Sequence, residues 1–286
     1  MSGDRPLSRR AALTGVVGAT LATAIGCTPD PVGPPTPAGG ASGATTTVPT
    51  APETASPRVA APTTSVSPAT PTPSARTSAP TTLLRTAGPD LRRGPQGARR
   101  VALTFHGAGP AALAEKVLAL LDRASVPVTV FAVGQWLRDH PDLGHAFASA
   151  GHDLGNHTWS HQPMLRLDPA QAHREVQRGA DAVAAVLGHP GLLFRPSGTP
   201  ASNPTIRAAA RAAGYRRCIS YDVDPADYLD PGASAVRDRT LAQVRPGSIV
   251  SLHLGHPGTV AALHGILGGL ARRRLEPVTV TGMFAP

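Results

Sequence analysis

The chain has 286 residues, a formal net charge of +9 and only two cysteines, so its fold does not depend on a disulfide framework. Of its 27 basic residues, 26 are arginines and one is Lys116, a bias that fits a GC-rich genome as well as a binding role. No basic helix interleaved with aromatic residues occurs, which argues against nucleic acid as a partner.

Residues 1–26 are typical of a bacterial export signal. Basic residues that include Arg9 and Arg10 precede the apolar stretch Ala11–Gly26, which is too short and too weakly apolar for a membrane span. The segment resembles a twin-arginine signal, and Ala24–Cys27 resembles a lipobox, in which the cysteine is lipidated after cleavage. We therefore predict a lipoprotein anchored through Cys27 on the outer face of the cytoplasmic membrane. A plain secretory signal is the alternative.

Residues 27–98 are predicted to form a disordered tether. Between Ala41 and Pro80, alanine, threonine, serine and proline account for 33 of the 40 residues, and the first aromatic residue of the chain is Phe105. Such a composition cannot bury enough apolar surface to offset the conformational entropy lost on folding. The tether would let an anchored domain reach into the cell wall.

Residues 99–286 alternate between predicted strands and helices. The predicted strands are Arg100–Phe105, Val128–Val133, His152–Gly155, Leu193–Arg195, Arg217–Tyr221, Ser248–His253 and Pro277–Thr281. The predicted helices are Ala111–Ala124, Pro141–Ala150, Pro169–Leu187 with Asp168 as its N-cap, Asn203–Ala213, Ala233–Val244 and Thr259–Arg274. Repeated βα units indicate a parallel sheet, and about seven of them favour a distorted (β/α) barrel. An open doubly wound sheet is the alternative, but no glycine-rich phosphate loop follows the first strand.

Polar side chains gather where the predicted strands end. They are His106, His157, His161, Arg195, Asp222, Asp224, Asp227, His253 and His256. Barrel enzymes carry their active sites at the carboxyl ends of the strands, so the predicted chemistry lies at this edge.

His157 and His161 are four residues apart and can reach one metal ion. If a helical turn begins at His157, the two imidazoles share a face. Histidine is a common zinc ligand at neutral pH, and Asn156 and Ser160 are expected to orient the rings through hydrogen bonds. Two unrelated surface histidines are the alternative.

Over nearly all of residues 99–286 the chain resembles the polysaccharide deacetylases of carbohydrate esterase family four, the NodB-homology domain. Four segments carry the resemblance, in the family's order: His157–His161, Phe194–Gly198, Tyr221–Tyr228 and Leu252–His253. The resemblance implies a divalent metal cofactor, with zinc expected, and hydrolysis of N-acetyl groups on an envelope polysaccharide such as peptidoglycan.

The first motif of that family, T-F-D-D-G-P, is replaced here by Thr104–Pro110, which contains His106 and no aspartate. In the family the first aspartate is the general base and the second is a metal ligand. Two assignments of His106 stay open. We favour a third metal ligand beside His157 and His161, because three neutral imidazoles with one open position form a known zinc site. The other assignment puts His106 in the position of the base.

The resemblance assigns further roles around this site. His253 is the expected general acid, held by Asp227, with Asp224 as the second candidate. Leu252 is expected to line the pocket for the acetyl methyl group, and Ser197 is expected to contact the substrate.

Arg195 orients the catalytic base in the family. Because that aspartate is missing here, we expect Arg195 to pair with Asp222 or Asp224, within either a catalytic site or a structural ion-pair network. His256 and His264 match no family motif and are expected to be ordinary surface or helix residues.

Two functions follow from these residues. The first is a metal-dependent deacetylase of envelope glycan, and the second is a degenerate relative that binds cell-wall glycan without turnover. The expected partners are cell-wall polysaccharide and, through the lipid anchor, the membrane; no motif indicates a protein partner.

Overall fold

The computed structural model describes residues 82–97 and 99–285 of the chain. Five strands form one sheet: β1 (Arg100–Gly107), β2 (Thr129–Ala132), β3 (Asp153–Asn156), β4 (Ile249–His253) and β5 (Glu276–Val278). Their order is β3–β2–β1–β4, with β5 also paired to β1, and all of these pairings are parallel. The predicted export signal, Cys27 and the tether as far as residue 81 lie outside the described residues.

Helices cover the sheet and connect its strands. They are α1 (Thr82–Arg85), α2 (Ala111–Ala124), α3 (Gly134–Asp139), α4 (Pro141–Ser149), α5 (Pro169–Leu187), α6 (Pro204–Ala212), α7 (Ala233–Gln243), α8 (Pro257–Arg272) and α9 (Val280–Met283). Two short 3-10 helices, Met164–Arg166 and Asp227–Leu229, lie in the loops. Every described helix is too short or too polar to span a bilayer.

The central strand β1 sets the register of the site. His106 lies opposite Phe131 of β2 and opposite His253 of β4. Because successive side chains of a strand point to opposite faces, Phe105 and Leu252 belong to the apolar core while His106 and His253 face the other way. The parallel register therefore brings the two histidines to the same edge of the sheet.

Between β3 and β4 the sheet continues only through single bridges. Asn156 pairs with Phe194, and Val223 pairs with Val250. The amide of Ile219 also donates to the carbonyl of Phe194 at 2.8 Å. The predicted strands Leu193–Arg195 and Arg217–Tyr221 lie in this region and are not regular strands. The expected parallel α/β architecture is therefore present, and within the described residues the barrel is not closed by regular strands on this side.

Sequence signals for helix ends were accurate where caps are present. Helix α5 spans the predicted residues, and Asp168 forms a capping box with Gln171. The helix ends at Gly188, whose φ of 77° lies in the left-handed region. The predicted last strand was too long, because Thr279 caps α9 through the amide of Gly282 and so ends β5 early.

Residues 82–97, which we call the N-terminal strap, pack against the domain. Leu84 is buried, and Leu91 forms a parallel bridge with Ile219. Arg93 pairs with the carboxylate of Asp222 at 2.9 Å. The folded part therefore begins before residue 98, and this corrects the predicted C-terminal end of the tether.

Candidate active site

Three histidine side chains meet at the carboxyl edge of the sheet. His106 lies near the end of β1, and His157 and His161 lie in the loop that follows β3. Each offers one ring nitrogen, and these three atoms lie within 4.8 Å of one another. Such a set of imidazoles could hold one divalent metal ion.

The orientation of His157 is fixed by the backbone. Its Nδ1 lies 2.9 Å from the carbonyl oxygen of Arg195, so Nδ1–H donates and Nε2 keeps its lone pair. Nε2 of His157 and Nδ1 of His106 are both buried, and neither has a hydrogen-bond partner among the described residues. Buried nitrogens without a partner are costly in a core but suit a metal site, so these residues fit the implied ion.

The surroundings also favour the neutral form of the three imidazoles. It lowers the pKa of His106 and of His157 well below the usual value, and the surrounding histidines and Arg195 lower both further. Burial, with His253, lowers the pKa of His161 as well. Neutral imidazoles are the form that binds metal, so the site is ready for an ion at neutral pH.

The loop between His157 and His161 is not the helical turn considered from its spacing. Thr158 and His161 have φ values of 67° and 60°, which no right-handed helix contains. The first turn of α3 holds the loop instead. The amide of Gly134 donates to the carbonyl of Thr158 at 2.8 Å, and that of Gln135 donates to the carbonyl of Trp159 at 2.9 Å.

Asn156 and Ser160 brace this loop, and their hydrogen bonds within the described residues go to groups other than the imidazoles. The side-chain oxygen of Asn156 accepts from the amide of Thr158 at 2.8 Å, and its Nδ2 donates to the carbonyl of Val176 on α5. The amide and hydroxyl of Ser160 both donate to the carboxylate of Glu175. Sequence reasoning missed Glu175, although an acidic residue on the apolar face of α5 is a usable signal.

His253 and Asp227 form a hydrogen-bonded pair next to the triad of His106, His157 and His161. Nδ1 of His253 lies 2.7 Å from Oδ1 of Asp227, and the amide of His253 and the hydroxyl of Thr259 donate to Oδ2. Burial alone would raise the pKa of Asp227, but the hydrogen bonds from His253 and Thr259 outweigh it and hold that pKa below its usual value. The ring of His253 lies 4.3 Å from that of His106, centroid to centroid.

Arg195 is buried and fastens the ends of neighbouring strands. Its guanidinium donates to the hydroxyl of Thr104 at 2.8 Å and to the carbonyls of Ile219 and Ser220 at 3.2 and 3.1 Å. It also lies 4.2 Å from the centroid of the Phe131 ring. Burial lowers the pKa of Arg195 to about 9, so the side chain remains cationic at neutral pH.

The expected ion pair between Arg195 and a nearby aspartate is not formed within the described part of the chain. Asp222 pairs with Arg93 at 2.9 Å, and Asp224 accepts from the amide of Ala226 at 2.8 Å. The guanidinium of Arg195 is already occupied by three neutral oxygens. Its contacts therefore position the backbone that orients His157.

Comparisons with known proteins identify the family. The family model for polysaccharide deacetylase matches residues 93–218. A chitooligosaccharide deacetylase from Bradyrhizobium sp. (strain ANU 289) is 32% identical over 196 residues, which cover 63% of this chain and 88% of that protein. The chain belongs to the polysaccharide deacetylase family. A peptidoglycan-N-acetylglucosamine deacetylase from Bacillus cereus is also similar, with 29% identity over 194 residues that cover 66% of this chain and 90% of that protein.

The polysaccharide deacetylase fold also occurs in a protein described as a pseudoenzyme. The crystal structure of a CE4 family pseudoenzyme from Bacillus anthracis superposes with a TM-score of 0.63 at 21% identity and covers 68% of each chain. That likeness concerns the fold alone. The fold alone does not distinguish an active enzyme from an inactive one, so the function of this polysaccharide deacetylase has to be inferred from the residues of its cleft.

A cleft of about 510 Å³ is lined by His106 and His161 of the triad and by His253. Asp224 and Ser251 line it, but the two predicted substrate contacts do not. Leu252 is fully buried in the core because it lies on the opposite face of β4 from its neighbours. Ser197 is also buried; it accepts from the hydroxyl of Thr158 and so braces the metal loop.

Two side chains with no predicted role in substrate binding complete the cleft. Tyr228 lies with its ring centroid 5.4 Å from that of His253 and is 48% exposed. His256 also lines the cleft, a position that the expectation of an ordinary surface or helix residue did not include. Its motif-free position offered no signal, since only the turn after β4 brings it to the mouth of the cleft.

Proposed function

We propose that this polysaccharide deacetylase is a metal-dependent hydrolase that removes N-acetyl groups from envelope glycans containing N-acetylglucosamine, such as peptidoglycan. One observation carries the proposal: His106 and His161, from a histidine triad that could hold a metal ion, line one cleft together with His253, which is paired with the buried Asp227. The ring of His106 lies 4.2 Å from that of His157 and 4.3 Å from that of His253. A protein that only binds glycan has no need of a proton donor beside a metal site.

His106, His157 and His161 would hold the divalent ion, for which we propose zinc on the basis of the all-nitrogen donor set. A bound ion of this kind supplies Lewis acidity, which lowers the pKa of water and polarises an amide carbonyl. His106 as the third ligand agrees with its partner-free ring nitrogen. Its alternative role as a base stays open, and the metal affinity of a His106→Ala variant separates the two.

His253 is suited to protonate the leaving amine. Asp227 holds Nδ1–H, so Nε2 remains for the proton that the sugar nitrogen must receive when the amide bond breaks. The buried carboxylate of Asp227 holds the His253 ring in the orientation that this transfer needs. Arg195 acts through the backbone, because its carbonyl orients His157.

The degenerate alternative is favoured by one feature of the triad. It contains no carboxylate, and the first motif of the chain contains no aspartate to serve as base. A protein that keeps the cleft but lacks this base would bind cell-wall glycan without turnover. Binding without acetate release is the outcome that separates the two functions.

We further propose that the protein acts outside the cytoplasmic membrane. The lipobox around Cys27 supports a lipid anchor, and the composition of residues 28–81 supports the predicted tether. Cell-wall polysaccharide and membrane lipid are the proposed partners. A Cys27→Ala variant should lose metabolic labelling with a fatty acid and leave the membrane fraction.

Acetate release from N-acetylglucosamine oligomers tests the proposed activity. We expect His253→Asn to keep its metal but to lose at least about 100-fold in rate, the usual contribution of a general acid. His157→Ala should lose metal and activity together. The matched control is His264→Asn, an exposed histidine of α8, which should behave as wild type. Metal-loaded wild type that binds oligomers but releases no acetate would establish the degenerate function instead.

A further inference from the structure

A second histidine–aspartate pair lies beside the catalytic one. Nδ1 of His256 lies 2.9 Å from Oδ1 of Asp230. In each pair the histidine follows the aspartate by 26 residues. Both members of the second pair therefore lie three residues after the corresponding members of the first pair. The rings of His253 and His256 are 5.7 Å apart and nearly perpendicular.

The backbone of two short segments creates this repeat. Asp227 begins a 3-10 turn, and Asp230 follows it with a φ of 49° in the left-handed region. On the other side, His253 ends β4 and His256 is the N-cap residue of α8. The turn sends the two carboxylates to different environments, because the Asp227 side chain is fully buried whereas that of Asp230 is 62% exposed.

The outer pair is built for binding. Asp230 accepts the Nδ1 proton and so leaves Nε2 of His256 as the nitrogen available to a ligand. The side chain of His256 is 26% exposed and lines the cleft. Tyr228, between the two aspartates, adds an exposed aromatic ring at the same mouth. An aromatic face beside an oriented hydrogen-bonding group is complementary to a pyranose, which has C–H faces and hydroxyl edges.

We propose that His256, oriented by Asp230, binds a hydroxyl group of the glycan at the mouth of the cleft and contributes to substrate binding without taking part in proton transfer. The inference rests on the proposed function in that it takes a glycan as the occupant. It differs from the role of His253, because solvent screens the exposed Asp230 whereas Asp227 acts in a buried site.

Three variants separate binding from folding. His256→Asn removes the imidazole and leaves a good N-cap residue for α8. Asp230→Gly removes the carboxylate and tolerates the left-handed backbone. Asp230→Asn keeps an acceptor for Nδ1–H in the same backbone conformation and serves as the conservative variant. His264→Asn on α8 is the matched control outside the cleft.

The test is calorimetric titration of the full-length protein with an N-acetylglucosamine tetramer, together with steady-state acetate release. We expect His256→Asn and Asp230→Gly to weaken tetramer binding about fivefold, as for the loss of one hydrogen bond. Asp230→Asn should recover most of the affinity, and the rate at saturating substrate should not change. Melting temperatures of all variants should match that of His264→Asn.

The outcomes separate this inference from the proposed function. Wild type that binds the tetramer through His256 but releases no acetate would overturn the proposed activity and leave the inference standing. Affinities of His256→Asn and Asp230→Gly equal to that of His264→Asn, or no tetramer binding by wild type, would overturn the inference. A loss of rate at saturation in both variants would also overturn it, since it would make His256 part of the proton transfer.

Discussion

His157 depends on a main-chain carbonyl for its orientation, and that carbonyl belongs to a residue whose side chain is itself fixed. The guanidinium of Arg195 joins Thr104 of β1 to the carbonyls of Ile219 and Ser220. The position of one metal ligand is thereby coupled to the packing of several strand ends. Groups that orient metal ligands typically contribute about 10–100-fold to metal affinity.

Arg195→Lys tests this coupling. Lysine keeps the charge but cannot donate to three oxygens in the planar geometry of a guanidinium. We expect metal affinity to fall by about tenfold or more, measured by competition with a chromogenic chelator. Arg272→Lys at the exposed end of α8 is the control. Equal affinities in the two variants would show that Arg195 does not position His157.

The stability of the metal-free protein should depend on pH in a defined direction. Burial lowers the pKa values of His106, His157, His161 and His152 in the folded chain. Histidines of the unfolded chain have pKa values of about 6.5, so as the pH falls the unfolded chain binds more protons than the folded chain does. The free energy of unfolding should be highest above that value and decrease through and below it.

Urea unfolding of metal-free protein between about pH 8 and pH 5 measures this effect, since the stability loss begins near the unfolded pKa of about 6.5. His157→Asn should show a shallower decrease than wild type, because it removes one buried group that must stay neutral. His264→Asn should keep the wild-type slope. Stability that rises on acidification would contradict the neutral state of the buried histidines.

For single residues, the candidate site residues were easier to predict than the groups they contact. The motifs located His157, His161 and His253, because spacing along the chain is all that these require. The contacts of Arg195 and the position of Leu252 depend on which face of a strand points to the cleft. That face follows from the register of β1 against β4, which no local pattern contains.

The loop that carries two of the proposed metal ligands is shaped by the helix behind it. Gly179 of α5 leaves space for the loop, since a Cβ there would lie 2.2 Å from Oδ1 of Asn156 and 2.9 Å from the carbonyl carbon of Thr158. Both residues are buried and cannot move outward. The glycine therefore serves the metal site although it lies in a helix interior.

Gly179→Ala should destabilise the protein, contrary to the usual gain of about 1 kcal/mol for this change in a helix. We expect a loss of about 1–3 kcal/mol from overpacking, together with weaker metal binding. Gly268→Ala in α8 is the control, because its Cβ would lie 3.4 Å from the end of the Arg272 side chain. Urea unfolding and metal titration measure both effects; a stabilised Gly179→Ala with unchanged metal affinity would contradict this packing.

The N-terminal strap should be required for the stability of the domain. Removing residues 1–97 would take Arg93 away from the partly buried carboxylate of Asp222 and would remove the bridge to Ile219. Loss of one partner of a fully buried ion pair costs about 3 kcal/mol, and we expect a smaller cost here because Asp222 keeps its contacts with Ser248 and Ile249. We expect a chain that begins at residue 82 to unfold like the full-length protein, and one that begins at residue 99 to unfold at clearly lower urea. Equal midpoints would show that the strap adds no stability.

Capped helices and long apolar strands were predictable because their signals are local. Helices α2 and α5 have the predicted bounds, and α5 has the predicted cap. The irregular side of the sheet was not predictable, because Phe194 and Ile219 pair through single bridges with neighbours far away in the chain. Composition also did not predict the N-terminal strap, in which Leu84 and Leu91 follow the low-complexity segment and pack on the domain.

For the whole molecule, the parallel sheet explains why chemistry gathers at one edge. Strands that run in the same direction end together, so the ends of β1 and β4 and the loop after β3 supply the triad and the proposed proton donor. This arrangement follows from repeated βα units and was predictable from the sequence. Turnover was not predictable from the sequence, because a first motif with His106 and without aspartate changes the charge of the site while the fold stays the same.

Acetate release after metal reconstitution tests the central claim most directly. Full-length protein is stripped with a chelator, loaded with zinc and incubated with N-acetylglucosamine oligomers, beside His157→Ala treated in the same way. We predict that wild type binds a single ion per chain and gains acetate release only when loaded, whereas His157→Ala gains neither. Loaded wild type that binds oligomers but releases no more acetate than His157→Ala would contradict the proposed activity.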